Sequence, residues 1–287
     1  MAIQTDGATL KVATVQFRSS ADVVDNLRRI RSQLEPLQAQ GVRVAAFPEC
    51  AATSYSGPAI EACTPQQLLD AEAELSRISG DLGMYIVMGI PYFENDTRLN
   101  GALVFNPSGQ CIERYAKIQL AGEKWCESGN RLALFRVDDV LCSVMVCHDS
   151  RYPEITRLPA IAGAQVMFYI SCESGILAES KIGPYRAQVQ ARAVENSIFV
   201  VQSNAPANMA TLEGGEEVAA PGGSHGQSRI VAPDGNLIAE AGFFDETSLV
   251  ATLDLEKATR GLALRSPQST LFEEWWHSGL ELVPEAR

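Results

Sequence analysis

Three features of this 287-residue sequence predict an α/β layered fold with mixed β-sheets. Short β-branched apolar runs alternate with helical apolar stripes towards both ends of the chain, and turn-rich hairpins occupy the middle. Three of the apolar runs also stop at an ionisable residue, as strands do when their ends build a site.

The elements follow in order. Leu10–Phe17 reads as a first strand. Ala21–Gln40 carries Val24, Leu27, Ile30, Leu34 and Leu37 as a helical stripe, and Gly41 stops it. Val42–Phe47 is a second strand, ending at Pro48–Glu49. Thr64-Pro65-Gln66-Gln67 has the chemistry of a helix start, with Thr64 as N-cap and Gln67 closing a capping box; the helix runs to about Ser79. Tyr85–Ile90 is a third strand. Gly101–Phe105 and Cys111–Ala116 form a hairpin about Asn106-Pro107-Ser108-Gly109, and Leu132–Val137 and Val140–Val146 another about Asp138–Asp139. Glu154–Ala162 is a short helix, Val166–Ile170 a strand, Pro184–Asn196 a longer helix and Ile198–Ser203 a strand. A Gly-rich loop is expected over Glu213–Gly226. Gln227–Val231 and Asn236–Ala241 make a last hairpin, and Ser248–Asp254 is the final strand. No linker or repeat divides the chain, so residues 1–287 are expected to form a single domain. A tail from about residue 262, with Trp275 and Trp276, is expected to pack on the body or on a partner subunit.

Composition narrows the function classes. A hydrophobic fraction of 46% and a charged fraction of 20% are those of a globular protein. Net charge is -12, which argues against a nucleic-acid surface or an anionic membrane as partner. Seven cysteines, at 50, 63, 111, 126, 142, 147 and 172, form no CxxC pair. Neither a disulfide framework nor a metal site is expected. Reduced thiols point to the cytoplasm. The opening MAIQTDGATLKV has no basic and apolar leader, and no run is long enough to span a bilayer.

The chemistry centres on Leu141–Glu154, LCSVMVCHDSRYPE. A buried strand ends at Cys147, just before a helix start, where the backbone is held firmly and free N–H groups lie close by. Glu49 and Lys117 end two other strands in the same way. Singly each has an ordinary explanation: a core thiol, a solvated loop carboxylate, a surface ammonium. Together they make a catalytic set. A free thiol with a pKa of about 8.5 is mostly protonated at neutral pH. A carboxylate can take its proton during attack, and an ammonium can stabilise an oxyanion.

Pro48–Glu49, KIQL at 117–120 and CHDSRYPE at 147–154 together resemble the carbon–nitrogen hydrolase (nitrilase) superfamily. ARAVENSIFVVQSN at 191–204 and GGSHGQSRIVAPDGNLIAEAG at 222–242 extend the likeness over nearly the whole chain. The resemblance implies a four-layer α-β-β-α sandwich with two mixed β-sheets, and a homodimer or higher homo-oligomer. It makes Cys147 the nucleophile, Glu49 the general base and Lys117 the oxyanion partner, helped by the backbone N–H of His148. A second family glutamate falls in AGEKWCESGN, at Glu123 or Glu127; the Trp-Cys-Glu-Ser-Gly that follows favours Glu123. Arg151 and Glu154 are assigned to structure. Tyr55 is either a pocket tyrosine or core packing. Cys172 and Glu173, in Ser171–Ser174, lie where members place pocket residues, so Glu173 either contacts a cationic or polar substrate group or is a solvated loop carboxylate. No metal or organic cofactor is required.

His148–Asp149 after the cysteine, rather than the Trp-Glu usual in nitrile-cleaving members, resembles amidase and carbamoylase members. The expected reaction is hydrolysis of a small amide or N-carbamoyl compound through a thioester. A nitrile hydrolase and a non-catalytic interaction protein on the same fold are the alternatives.

Overall fold

The computed structural model describes residues 8–173, 179–208 and 224–286. The described strands form two six-stranded sheets built to one plan, with a parallel centre and antiparallel edges. In the first, β1 (Thr9–Gln16), β2 (Val44–Ala46) and β3 (Tyr85–Glu94) are parallel, while β4 (Thr97–Phe105) and β5 (Cys111–Ala116) add an antiparallel edge beyond β3. In the second, β7 (Val140–Val146), β8 (Val166–Ser171) and β9 (Phe199–Asn204) are parallel. There β6 (Phe135–Val137) pairs antiparallel with β7, and β10 (Arg229–Val231) and β11 (Leu237–Glu240) extend the sheet antiparallel beyond β9. The last strand, β12 (Thr247–Asp254), returns to the first sheet and pairs antiparallel with β1.

Alternation along the strands sorts side chains into layers. Val12, Val44, Ala46 and Val87 of the first sheet meet Val144, Val146, Phe168 and Val201 of the second in an apolar core between the sheets. Thr14 Oγ1 donates to Gln202 O at 2.6 Å and Ser203 Oγ to Val15 O at 2.7 Å across the same interface. On the outer face of the first sheet lie α1 (Val23–Ala39) and α3 (Pro65–Leu82), with Ile30, Leu34, Leu75 and Ile78 inward; the short α2 (Gly57–Ala62) precedes α3. On the second lie α4 (Pro153–Ala162) and α5 (Glu179–Val194), which cover Met145, Met167 and Tyr169 with Ile155, Leu158 and Val189. The result is the α-β-β-α sandwich.

Most predicted elements appear within a few residues, and the Thr64–Gln67 capping box is formed. Three differences have local causes. The third strand runs on through Pro91 to Glu94, because β2 no longer flanks β3 there and a proline on an unpaired strand side leaves no donor orphaned. Asn95 and Asp96, at φ 47° and 63°, then make the β3–β4 hairpin, a conformation their short side chains tolerate. The third long helix begins at Glu179, so Pro184 is its sixth residue; with no N–H there, the proline cannot donate to the Ser180 carbonyl, and the helix accommodates it instead of starting at it. The loop expected at 213–226 lies outside the described residues as far as 223, as does Ser174. In the tail, Gly261–Arg265 (α6) and Glu273–Leu280 (α7) are helical. Trp276, Leu280 and Val283 pack on the core under α4, while Leu271, Phe272 and Trp275 stay exposed.

One close approach fixes the path of the chain after β2. A Cβ on Gly89 of β3 would lie 2.0 Å from Pro48 O and 2.7 Å from Glu49 Cα. Backbone atoms cannot yield to it, so Gly89 sets how closely that turn lies on the sheet. Gly89→Ala is expected to destabilise the protein by more than about 2 kcal/mol, as overpacked sites do, with a matching fall in the urea midpoint.

Candidate active site

The site collects at the carboxyl ends of strands from both sheets. Phe47 N–H still pairs with Val87 O at 2.9 Å; beyond it the chain turns, with Cys50 in the left-handed region at φ 54°, and Glu49 is carried into the interior, 1% exposed. Lys117 leaves β5 with its N–H on Asn100 O at 2.8 Å and its carbonyl on Gly129 N–H at 2.8 Å. Gly129 has no room for a side chain, since a Cβ would stand 2.2 Å from Ala116 O. Cys147 follows β7 and opens a one-turn 3-10 helix, Cys147–Arg151.

Lys117 is wholly buried between two carboxylates. Its Nζ donates to Glu49 Oε1 at 2.8 Å and also to Glu123 Oε1. Burial acts to lower its pKa, but the charges of Glu49 and Glu123 outweigh that effect and hold it above the ordinary value. For Glu123 burial acts to raise the pKa, and the charge and hydrogen bond of Lys117 reverse the balance to a lowered value. Tyr55 Oη donates to Glu123 Oε1 at 2.8 Å. Glu127 is exposed and bonds through its backbone to Arg98 O, so of the two glutamates it is Glu123 that meets Lys117.

Cys147 lies beside this network. Its Sγ is 4.0 Å from Cys172 O, and the Cys172 N–H donates to Glu49 Oε2 at 2.9 Å. Burial, then the Glu49 charge, pushes the thiol well above its ordinary pKa, with Lys117 opposing. That shift favours the thiol over the thiolate. Its φ of 49° is a left-handed conformation that costs a non-glycine residue on the order of 1–2 kcal/mol.

Asp149 offsets that strain. Its Oδ2 accepts Val146 N–H at 3.0 Å and Tyr115 Oη–H at 2.7 Å; its Oδ1 accepts Ile118 N–H at 3.1 Å and Gln119 N–H at 2.8 Å. One buried carboxylate thus ties the cysteine turn to the chain just past Lys117. Burial raises its pKa to about 6 against the pull of those donors. The His148 N–H, near the start of the 3-10 turn, has no partner within it, and its ring meets Tyr152 edge-on at 5.8 Å.

Glu173 is no solvated loop carboxylate: it is buried, with Tyr169 Oη and Gln202 Nε2 donating to Oε1 and His225 Nε2 3.2 Å from Oε2. Arg151 lies over the Tyr185 ring at 5.3 Å, and Glu154 sits in the first turn of α4. Two residues of the site, Asn100 and Asp149, are not identified by sequence reasoning. Asn100 donates to Glu49 Oε1 at 2.8 Å. Asn100 stands just before the apolar run Gly101–Phe105 and carries no local signal; nothing local marks Asp149 as inward. Among the described residues no group of His, Cys, Asp or Glu is arranged to hold a metal ion, and no helix is long and apolar enough to cross a membrane.

The carbon–nitrogen hydrolase family model matches residues 11–261. The chain belongs to that family. The fold of this hydrolase is also that of Saccharomyces cerevisiae Nit3, a member of branch 10 of the nitrilase superfamily (TM-score 0.79, 24% identity, 92% of this chain and 96% of that one). An amidase from Nesterenkonia sp. AN1, carrying acrylamide added to its active-site cysteine, is equally similar in fold (TM-score 0.79, 22% identity, 93% and 99%). In sequence, this hydrolase is 26% identical over 263 residues to Omega-amidase NIT2-B of Xenopus laevis, covering 87% of this chain and 90% of that protein.

The site geometry sets two expectations. Glu123→Gln should lower turnover at least tenfold, because Lys117 loses one of its two charges, whereas Glu127→Gln should leave it within about twofold; steady-state rates of the two variants check this. Burial raises the Glu173 pKa from 4.5 to about 7, against Tyr169 and Arg229, which lower it. A carboxyl with a raised folded pKa stabilises the fold below its unfolded pKa, and that contribution is lost as pH rises through about 7. Glu173→Gln cannot ionise, so its melting temperature relative to wild type should climb between about pH 5 and about pH 8.

Proposed function

We propose that this hydrolase cleaves the C–N bond of a small carboxamide through a thioester on Cys147, releasing ammonia or an amine. The observation that carries the reading is the buried Glu49–Lys117–Glu123 network beside the Cys147 sulfur, with Cys172 touching both Glu49 and that sulfur. Glu49 takes the thiol proton as sulfur attacks the carbonyl carbon. The oxyanion forms between the Lys117 ammonium and the His148 N–H. Glu49 returns the proton to the leaving nitrogen and the C–N bond breaks. Water, activated by Glu49 with Glu123 opposite, then attacks the thioester, and the sulfur leaves with the proton returned.

An amide rather than a nitrile is supported by His148–Asp149 after the cysteine and by relatives named as amidases. The Omega-amidase relative makes ω-amides the first compounds to try.

Ammonia release across ω-amides, simple aliphatic amides, N-carbamoyl amines and nitriles tests this. Turnover is expected to be best on an amide, absent in Cys147→Ala, and at least about a hundredfold lower in Lys117→Ala. Faster acid formation from nitriles than from any amide would overturn the amide reading. Full activity in Cys147→Ala would overturn the mechanism.

A further inference from the structure

The two oxygens of Glu49 are not equivalent. Oε1 accepts two hydrogen bonds, from Asn100 Nδ2 and Lys117 Nζ, both at 2.8 Å. Oε2 accepts one, from the Cys172 N–H at 2.9 Å. An ionised carboxylate oxygen offers about two acceptor positions. Oε1 is therefore full, and Oε2 keeps one position open. Cys172 also receives the Cys147 sulfur on its carbonyl, at 4.0 Å, so one residue touches both Oε2 and the nucleophile.

We propose that Asn100 is the positioning residue of the general base: it pins Glu49 by Oε1 so that Oε2 alone receives the Cys147 proton. This rests on the amide-hydrolase reading and adds a residue to it. In the step, the S–H bond of Cys147 breaks and an O–H bond forms on Oε2. The sulfur electron pair forms the S–C bond, and the carbonyl π pair moves to oxygen. Lys117 cannot do the pinning alone. Its ammonium is shared with Glu123 and must also face the oxyanion, while the amide of Asn100 has no other duty for Nδ2.

The orientation of that amide is determined. Cys50 Sγ donates to Asn100 Oδ1 at 3.6 Å, so Nδ2 must face Glu49; the flipped amide would set oxygen against carboxylate. The main chain of Asn100 bonds separately, its carbonyl to Lys117 N–H and its strand to β3 opposite Pro91. Replacing the side chain leaves those bonds intact, which makes the positioning role separable from the strand.

Asn100→Leu, similar in size and unable to donate, is the test, read by steady-state kinetics on an amide and by a crystal structure of the variant. The expected result is kcat lower by about tenfold to a hundredfold, a part of what a general base supplies, with KM within about threefold. Glu49 should be turned from its present position. Unchanged kcat, or an unmoved Glu49, in the folded variant overturns the proposal. If Asn100→Leu does not fold, Asn100→Ala removes the donor without adding bulk or charge; it should lose turnover to a similar degree, and full turnover would overturn the idea. If neither variant folds, the side chain serves the fold and the proposal falls. Should wild type hydrolyse no amide, the functional reading fails, yet the place of Glu49 in the variant crystal still decides this one.

Discussion

A fully buried ammonium is the constraint around which the rest is arranged. Taking Lys117 out of water costs several kcal/mol, and only close opposite charge makes that tolerable. Two carboxylates supply it, Glu49 from the turn after β2 and Glu123 from the loop after β5. Two negative charges against one positive leave an excess of one. Burial, and after it the Glu49 charge, pushes the Cys147 thiol up, with Lys117 opposing. In the proposed mechanism the carboxylate that helps raise the thiol is also the group that takes its proton.

The layers explain why groups so distant in sequence meet. Glu49 and Lys117 extend from the first sheet, Cys147 and Cys172 from the second. The site straddles the apolar interface between sheets, so its geometry depends on the packing of Val44, Val87, Val146 and Phe168 beneath it. Close backbone approaches at Gly89 and Gly129 remove the last freedom, one under Glu49 and the other against the carbonyl just before Lys117. A rigid scaffold under a charged cluster is what preorganised electrostatics requires.

Much of this is legible in the sequence because it depends on local patterns. Strand ends at Glu49, Lys117 and Cys147, the capping box at Thr64, and the apolar run of β7 each follow from short-range chemistry. The missing parts depend on contacts between segments. Asn95–Asp96 resembles any polar loop until β4 pairs with β3, and Pro91 reads as a strand stop unless its outer edge is known to be unpaired. Asn100 looks like a polar residue ahead of the strand Gly101–Phe105 until Glu49 arrives fifty-one residues away in sequence. Glu173 reads as surface charge by type, and only tertiary burial beside Tyr169, Gln202 and His225 shows otherwise.

Asp149 shows why such contacts matter to chemistry and not only to folding. An amide at this position has one oxygen, and so could not accept all four donors that the carboxylate satisfies. Those donors come from the end of β7, from Tyr115 on β5 and from the two residues after Lys117. The bonds therefore couple the left-handed cysteine turn to the lysine-bearing segment as one body. A tetrahedral oxyanion needs sulfur and ammonium at a fixed mutual distance, and errors of about 1 Å cost on the order of a hundredfold in rate. One carboxylate thus joins the end of β7 in the second sheet to the chain leaving β5 in the first, the two segments that carry Cys147 and Lys117.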